Sequence, residues 1–191
     1  MTLAVGQPVP RALADAEVRD PAGEAHRLAE AWRERDAVVV FVRHFACAGC
    51  AEHVAALRPR LAELAALGVG VTIVGNGTPP QLAAFVEREQ LADVTCVTDP
   101  SLAAYRAAGL VRSAWGTFGP RALAEHVRLG VRGYASGRAR GDHLQQGGTL
   151  YVTRAGALAY HERQRRVGDR APVGDVVDVA LAQRALAAEA V

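Results

Sequence analysis

The stretch AVVVFVRHFACAGC, residues 37–50, carries the signals that decide the fold and the chemistry of this chain. Its first six residues are all apolar and four of them are valine, which is typical of a strand buried on both faces of a sheet. Arg43 and His44 follow directly, and then a Cys-x-x-Cys pair, Cys47 and Cys50. Two kinds of chemistry suit such a pair, a dithiol redox site and a zinc site.

A helical pattern follows the cysteines, because apolar residues recur at spacings of three and four as far as residue 67. Cys47 is therefore predicted to lie in the loop before this helix and Cys50 in its first turn. The unpaired N–H groups and partial positive charge of a helix N-terminus stabilise a thiolate. Pro59 predicts a kink in the helix and Gly68 its end.

Strands and helices alternate through the first half of the chain. Apolar runs at 69–75 and 93–100 predict two further strands, each followed by a helix, which favours parallel βαβ units. Residues 147–164 predict a hairpin. Before residue 37, the pattern favours a short strand within 12–20 and a short helix within 26–35. Pro172 is placed to begin a C-terminal helix.

The composition predicts a soluble, globular protein, most naturally one domain over residues 1–191. Half of the residues are hydrophobic and 22% are charged. No apolar run approaches the ~18 residues of a membrane span, and the start MTLAVGQPVP lacks the features of a signal peptide. We therefore expect a cytoplasmic protein. The net charge of +2 indicates no particular partner, so neither nucleic acid nor a membrane is predicted.

A zinc site is the first alternative, because His44, Cys47, Cys50 and His53 are four potential ligands at regular spacing. His44 ends the predicted strand, whereas His53 lies one turn into the helix on the same face as Cys50. Closing all four around one ion would distort the junction, which favours the dithiol interpretation. There, His53 would be a neighbour of Cys50 that could tune it.

Two other side chains have open interpretations. Arg43 either adds positive potential near a thiolate or reaches solvent from the strand end. Cys96 lies among valines in the third predicted strand, so we expect a buried, inert thiol. The alternative for Cys96 is a distant resolving partner.

The strings FVRHFACAGC and QQGGTLYV, with the more general VGQPVP, TDPSLAAYRAAGL and HERQRRVGDRAPVGDVV, resemble the thioredoxin-fold proteins of the AhpC/TSA (alkyl hydroperoxide reductase/thiol-specific antioxidant) family. Within it the chain is most similar to the peroxiredoxin-like 2 branch. The resemblance implies an α/β, thioredoxin-like fold whose central mixed β-sheet is flanked by helices. It also implies an N-terminal β extension and an insertion at about 111–146 before the last hairpin.

The same resemblance implies a thiol oxidoreductase that reduces peroxides or disulfides through a Cys47/Cys50 dithiol–disulfide cycle. An external reductant of the thioredoxin or glutathione type would be needed, and no bound metal, flavin or haem is expected. Supporting roles fall on Arg43, His44, His53, Gly148 and Thr149. The insertion, with Trp115, Phe118 and an arginine cluster, is predicted to be a lid or docking surface beside the site; a solvated connector is the alternative.

The order of attack stays open at this point. The peroxiredoxin motif Pro-x-x-x-Thr/Ser-x-x-Cys would make Cys50 peroxidatic, with Cys47 in the Thr position and Arg43 in the Pro position. The arginine that peroxiredoxins bring from the opposite strand would fall near Gly147, where there is no charge. The thioredoxin scheme would make Cys47 the nucleophile, with Gly147-Gly148-Thr149 in place of a cis-proline. The helix terminus favours thiolate character at Cys50, while Cys47 is expected to be the more accessible.

Two further functions are carried as alternatives. One is a thioredoxin-fold binding protein whose thiols hold zinc or sense redox state. The other is a specialised reductase of one small metabolite, similar to the prostamide/prostaglandin F synthase of the same branch. The oligomeric state is not predicted.

Overall fold

The computed structural model describes residues 3–137 and 141–189, and their strands form a seven-stranded mixed sheet. The strand order is β2-β1-β5-β4-β3-β6-β7. The strands are β1 (Glu17–Arg19), β2 (Ala25–Arg27), β3 (Ala37–Phe41), β4 (Gly70–Gly75), β5 (Thr95–Thr98), β6 (Gly148–Val152) and β7 (Leu158–Arg163). The N-terminal strands β1 and β2 extend one edge, as the resemblance implied.

Strand β3 lies at the centre of the fold, as its unbroken apolar sequence predicts. It pairs in parallel with β4 and antiparallel with β6, and all five of its residues are buried. Val38 and Val40 belong to the hydrophobic core on one face of the sheet, whereas Val39 and Phe41 belong to the core on the other. This alternation fixes the strand between two layers of helices.

The helices are α1 (Arg11–Ala14), α2 (Ala48–Leu57), α3 (Leu61–Ala66), α4 (Pro79–Arg88), α5 (Ala103–Ala107), α6 (Ala114–Phe118), α7 (Pro120–Val131) and α8 (Val173–Glu189). The kink predicted at Pro59 is a 3₁₀ turn, Arg58–Arg60, between α2 and α3. The predicted stop at Gly68 is confirmed by its φ of +77°. Helices α2, α4 and α8 cover one face of the sheet, and α1 and α5 cover the other.

The short helix predicted within 26–35 is wrong over most of its length. Ala25–Arg27 form strand β2, and the only helical residues are Leu28–Trp32, which form a 3₁₀ turn. Leu28 and Trp32 of this turn are both buried in the core. Pairing of β2 with β1 takes up the residues that would have formed the first helical turn.

The insertion contains the helix α7 and a second, short helix, α6. Ser113 caps α6 by accepting a hydrogen bond from Gly116 N at 2.8 Å. Arg138 and Arg140 of the predicted arginine cluster lie outside the described residues. Over the residues that the structure describes, no helix is long and apolar enough to cross a membrane.

Candidate active site

The two cysteines lie where β3 passes into α2, at the carboxyl edge of the parallel strands. Cys47 is the N-cap residue of α2, and its Sγ accepts a hydrogen bond from Cys50 N at 3.4 Å. Both thiols are free in this structure. Cys47 is 4% exposed and Cys50 is 6% exposed, so the expectation that Cys47 would be clearly the more accessible is wrong. The turn of the helix cap buries both.

Arg43 is the charged centre of this site. It is 2% exposed, and its Nη1 lies 3.7 Å from Cys47 Sγ while its backbone N–H donates to Cys50 Sγ at 3.2 Å. Its Nη2 donates to Thr117 Oγ1 at 2.7 Å and to the carbonyl of His143 at 2.9 Å. The side chain therefore points inward, which settles the two interpretations open from the sequence.

No carboxylate of the described residues forms an ion pair with Arg43, and its Nε is buried without a hydrogen-bond partner. A buried cation without a counterion is costly. The group next to it that can become an anion is the Cys47 thiol. Ionisation of Cys47 therefore gives the buried guanidinium a counterion, and the guanidinium in turn stabilises the thiolate.

The two thiols have opposite acidities. The pKa of Cys47 is lowered to about 6, first by the hydrogen bond from the Cys50 side chain and then by the charge of Arg43. The pKa of Cys50 is raised well above its usual value, first by burial and then by its bond to Cys47. These opposite shifts favour ionisation of Cys47 over ionisation of Cys50. The sequence argument that placed thiolate character at Cys50 considered the helix terminus but not Arg43.

The two histidines occupy different positions. His53 is buried and lines a small pocket of about 10 Å³ with Cys47, Cys50 and Gln164, a volume near the minimum for one water molecule. His44 is turned toward its own loop, where Nδ1 accepts from Ala46 N at 3.3 Å. Burial lowers the pKa of each to about 4, so both rings are neutral at pH 7.

The four potential zinc ligands do not converge. Among the described residues, the group whose ligand atoms all lie within 4.8 Å of one another is Asp20, Glu24 and His26, on the β1–β2 turn. His44, Cys47, Cys50 and His53 form no such group, because strand and helix direct the two imidazoles apart. The geometry of the junction thus favours dithiol chemistry over a zinc site.

Gly147 and Gly148 are explained by packing within the chain. A Cβ on Gly147 would lie 2.2 Å from the carbonyl oxygen of Phe41, and one on Gly148 would lie 2.6 Å from that of Glu162. Thr149 pairs with Val40 of β3, and its Oγ1 is buried without a partner. These residues lie in the adjacent strand and form no hydrogen bond with either thiol among the contacts described. No peptide bond of the described residues is cis.

Three supporting residues escaped the sequence analysis. Asn76 follows β4 as Arg43 follows β3, and its Nδ2 donates to the Arg43 carbonyl at 2.8 Å. Asn76 could have been predicted from the sequence, because the carboxyl ends of two parallel strands meet at the same edge of the sheet. Thr117 comes from the insertion, 74 residues from Arg43, and no local pattern marks it. Glu52 is the third.

Glu52 ties the helix that carries the cysteines to the insertion. Its side chain is 5% exposed and accepts hydrogen bonds from Arg128 at 2.7 Å and from Arg132 at 2.5 Å. Arg170, from the loop before α8, completes the cluster. The hydrogen bond from Arg128 is the main reason that the pKa of Glu52 is lowered. The insertion is thus fastened to α2 by ion pairs with an almost completely buried carboxylate.

Comparison with known proteins supports this picture. Residues 56–166 match the AhpC/TSA antioxidant enzyme family, a match that begins downstream of both cysteines. The chain is 28% identical to human peroxiredoxin-like 2C, over 91% of this chain and 81% of that protein. It is 28% identical to the chloroplastic thioredoxin-like protein AAED1 of Arabidopsis thaliana, over 91% of this chain and 73% of that protein.

Two further similarities concern a named enzyme and the fold. The chain is 32% identical to the prostamide/prostaglandin F synthase of Pongo abelii, over 82% of this chain and 81% of that protein. The crystal structure of the peroxidoxin BcpB from Mycobacterium tuberculosis superposes with a TM-score of 0.68 at 15% identity, over 95% of this chain and 98% of that one. The chain therefore belongs to the AhpC/TSA antioxidant enzyme family, in its peroxiredoxin-like 2 branch, and is a peroxiredoxin-like thiol oxidoreductase.

Proposed function

We propose that Cys47 is the attacking thiolate and Cys50 the resolving thiol in the reduction of small peroxides. The observation that carries this assignment is the convergence of two donors on one sulfur. The Arg43 guanidinium and the Cys50 backbone N–H both donate to Cys47 Sγ, at 3.7 and 3.4 Å, and both favour its anionic form.

In the first step, the Cys47 thiolate attacks the terminal oxygen of the peroxide. An S–O bond forms and the O–O bond breaks, which leaves a sulfenic acid on Cys47. The departing alkoxide or hydroxide takes the proton of the Cys50 thiol. Arg43 lies where it can donate to oxygen as negative charge develops there.

In the second step, the Cys50 thiolate attacks the Cys47 sulfur. A disulfide forms, and the hydroxide that leaves becomes water by taking up the proton that is released to solvent when the external dithiol is oxidised in the next step. An external dithiol then reduces the disulfide by thiol–disulfide exchange. Over the cycle, peroxide and two reducing equivalents give an alcohol and water.

The small pocket at the thiols is the argument for a small substrate. Its volume of about 10 Å³ leaves room near Sγ for little more than one water molecule in this closed form. Hydrogen peroxide and short hydroperoxides fit such an opening with the least displacement. The specialised metabolite reductase has no observation at the site in its favour.

Intact-mass spectrometry with thiol trapping tests the assignment. The wild type, Cys47→Ser and Cys50→Ser would each be treated with one equivalent of hydrogen peroxide in the presence of dimedone. We expect the wild type to lose two hydrogens, Cys50→Ser to gain a dimedone adduct at residue 47, and Cys47→Ser to stay unmodified. An adduct at residue 50 in Cys47→Ser would instead make Cys50 the peroxidatic residue.

Reduction of a partner disulfide is the second candidate, because the Cys-x-x-Cys at a helix N-terminus suits it equally. Cys47 would again attack first and form a mixed disulfide that Cys50 resolves. If peroxide leaves all three proteins unchanged while a disulfide substrate oxidises the wild-type pair, this second function replaces the first.

We further propose that the protein is one thioredoxin-like domain with a cytoplasmic location. Strands from both ends of the chain share one sheet, which supports one domain, and a Cys-x-x-Cys pair that cycles between dithiol and disulfide suits a reducing compartment. Cell fractionation against compartment markers would test the location.

A further inference from the structure

An apolar surface without a partner covers the outer side of the insertion. We call it the insertion face; its members are Trp115, Phe118, Leu123, Val127 and Val131. Their exposed fractions run from 62% for Leu123 to 85% for Val131. The three residues of α7 are spaced by four, so they share one side of the helix, while Ala122 and Leu129 on its other side are buried. Exposed large apolar side chains concentrated on one segment, rather than scattered singly, are typical of an interaction site in soluble proteins.

The charge beside the insertion face is positive. A pocket of about 390 Å³ lies there, walled by Trp115 and by Arg121, Arg165 and Arg166. Among these arginines, Arg166 is paired with Asp169, whereas Arg121 and Arg165 have no ion pair within the described ranges 3–137 and 141–189.

The nearby carboxylates are already engaged. Glu125 accepts from Arg128 at 2.7 Å and Asp142 accepts from Arg112 at 2.6 Å. Arg121 and Arg165 therefore present unneutralised guanidinium groups beside Trp115, at one end of the insertion face. That combination fits a partner with an apolar contact surface and exposed carboxylates.

The inner side of the same segment holds the active site. Thr117, between Trp115 and Phe118 on α6, accepts from Arg43 at 2.7 Å. The Phe118 ring packs edge-on against the His143 ring, with centroids 5.8 Å apart, and the carbonyl of His143 also accepts from Arg43. The α6 part of the insertion face, Trp115 and Phe118, thus lies one layer of residues from the guanidinium that contacts Cys47.

We propose that the insertion face is the docking surface for an acidic dithiol protein that reduces the Cys47–Cys50 disulfide. This inference rests on the dithiol cycle proposed above. One partner thiolate attacks the disulfide, so that the intramolecular S–S bond breaks and a mixed disulfide forms. The second thiolate of the partner then attacks the partner's own sulfur in the mixed disulfide, which releases this protein. The partner leaves oxidised, and Cys47 and Cys50 keep two electrons and take up protons.

The shape and charge of the face favour a protein over other occupants. The pocket walled by Trp115 and arginines is concave and accepts an anchoring side chain, whereas a membrane surface is bound by convex apolar groups that insert into it. A second copy of this chain would bring Arg121 and Arg165 against the same cations, which disfavours a symmetric contact.

Stopped-flow reduction of the purified disulfide form tests this proposal. The probes are a reduced thioredoxin of acidic isoelectric point, dithiothreitol and reduced glutathione. The variants are Leu123→Ser/Val127→Ser and Arg121→Gln/Arg165→Gln. Leu186→Ser is the matched control, because Leu186 is 58% exposed on the distant helix α8.

We expect each double variant to slow reduction by thioredoxin about tenfold, with the rate constant for dithiothreitol unchanged and Leu186→Ser equal to wild type. Added salt should slow the wild type and affect the arginine variant less. If no Cys47–Cys50 disulfide can be prepared, or dithiothreitol fails to reduce it, the proposed function itself fails.

Three results would overturn the docking proposal while leaving the cycle intact. The first is reduction by thioredoxin at the same rate in all variants, or no faster than by glutathione. The second is sedimentation of the wild type, but not of the Leu123→Ser/Val127→Ser variant, with vesicles of phosphatidylglycerol and phosphatidylcholine. The third is a dimer in sedimentation velocity that the same variant abolishes.

Discussion

Cys47 and Cys96 are almost equally buried, 4% and 5% exposed, yet their chemistry is opposite. Cys96 lies in β5 among apolar side chains of the core, and burial raises its pKa to about 12. Cys47 belongs to the same core cluster but caps helix α2 beside Arg43, and its pKa is lowered to about 6. The same loss of water thus accompanies an inert thiol in one region and a thiolate in the other.

The difference teaches that polar partners, and not exposure, decide reactivity in this protein. Burial penalises the anion at both sites. At Cys47 the Cys50 thiol and the Arg43 guanidinium reverse that penalty; at Cys96 no such group is present among the described neighbours. Removing the partners of Cys47 one at a time should therefore raise the pKa of Cys47 toward that of Cys96.

Arg43→Gln should have the largest effect. The guanidinium contributes both charge and a hydrogen bond to Cys47, and an adjacent opposite charge shifts a pKa by about 1–3 units. An upward shift of about two units would reduce the thiolate fraction at pH 6 roughly fiftyfold. Peptide-resolved alkylation by iodoacetamide across pH 5–10 would show the midpoint rising from near 6.

Arg154→Gln, at an exposed turn, is the matched control and should leave the midpoint in place. Because the folded-state pKa of Cys47 lies below its unfolded value, ionisation of Cys47 stabilises the wild type most at alkaline pH. That stabilisation is lost as pH falls through about 6, and Arg43→Gln should flatten this dependence. An unchanged midpoint in Arg43→Gln would show that Arg43 does not act on Cys47.

Cys50→Ala comes next, because it removes the S–H donor and leaves the cation. A rise in the pKa of Cys47 by about one unit would slow its alkylation at pH 6 by about fivefold. Cys50→Ser keeps a donor of similar size and should restore most of the rate. Equal rates in the two variants would mean that the hydrogen bond from residue 50 contributes nothing.

The sequence predicted strand β3 and the helices that follow it well, because the signals for these elements lie in the residues that form them. The apolar run Val38 to Val42, with four valines and Phe41, can only be covered on both faces by helices, so the central position of β3 followed directly. Pro59 and Gly68 act on the backbone at their own positions, and both were placed correctly. The helix predicted over 26–35 failed because a tertiary pairing, β1 with β2, overrode the local preference.

The contacts of the site were less accessible to sequence reasoning. The pair of cysteines and the helix terminus are local features, and they were found. Whether Arg43 points inward depends on Thr117 and His143, 74 and 100 residues away. The acidity of Cys47 depends in turn on that orientation, so the order of attack could not follow from the motif alone.

Thr117→Val tests that distant support with a smaller change. Valine has the shape of threonine but cannot accept from Arg43 or from Gln146, whose Nε2 lies 3.1 Å from Thr117 Oγ1. The loss of a hydrogen bond to a charged group costs about 1.5–3 kcal/mol of stability. We expect the alkylation rate of Cys47 at pH 6 to fall by only about twofold, because Arg43 keeps its bond to the His143 carbonyl. A rate as low as that of Arg43→Gln would show that Thr117 alone positions the guanidinium.

Cys96→Ser should have the smallest effect on reactivity and so gives the sharpest test of the comparison. The hydroxyl would replace a thiol in an apolar core without a partner, which should lower the free energy of unfolding by about 1–3 kcal/mol in urea titrations. The alkylation midpoint of Cys47 should stay near 6, and peroxide should still join Cys47 to Cys50. Cys96→Ala separates the cost of the hydroxyl from that of the lost sulfur. If either variant prevented recovery of the dithiol or trapped a sulfenic acid at Cys47, Cys96 would be a distant resolving partner after all, and its burial would not make it inert.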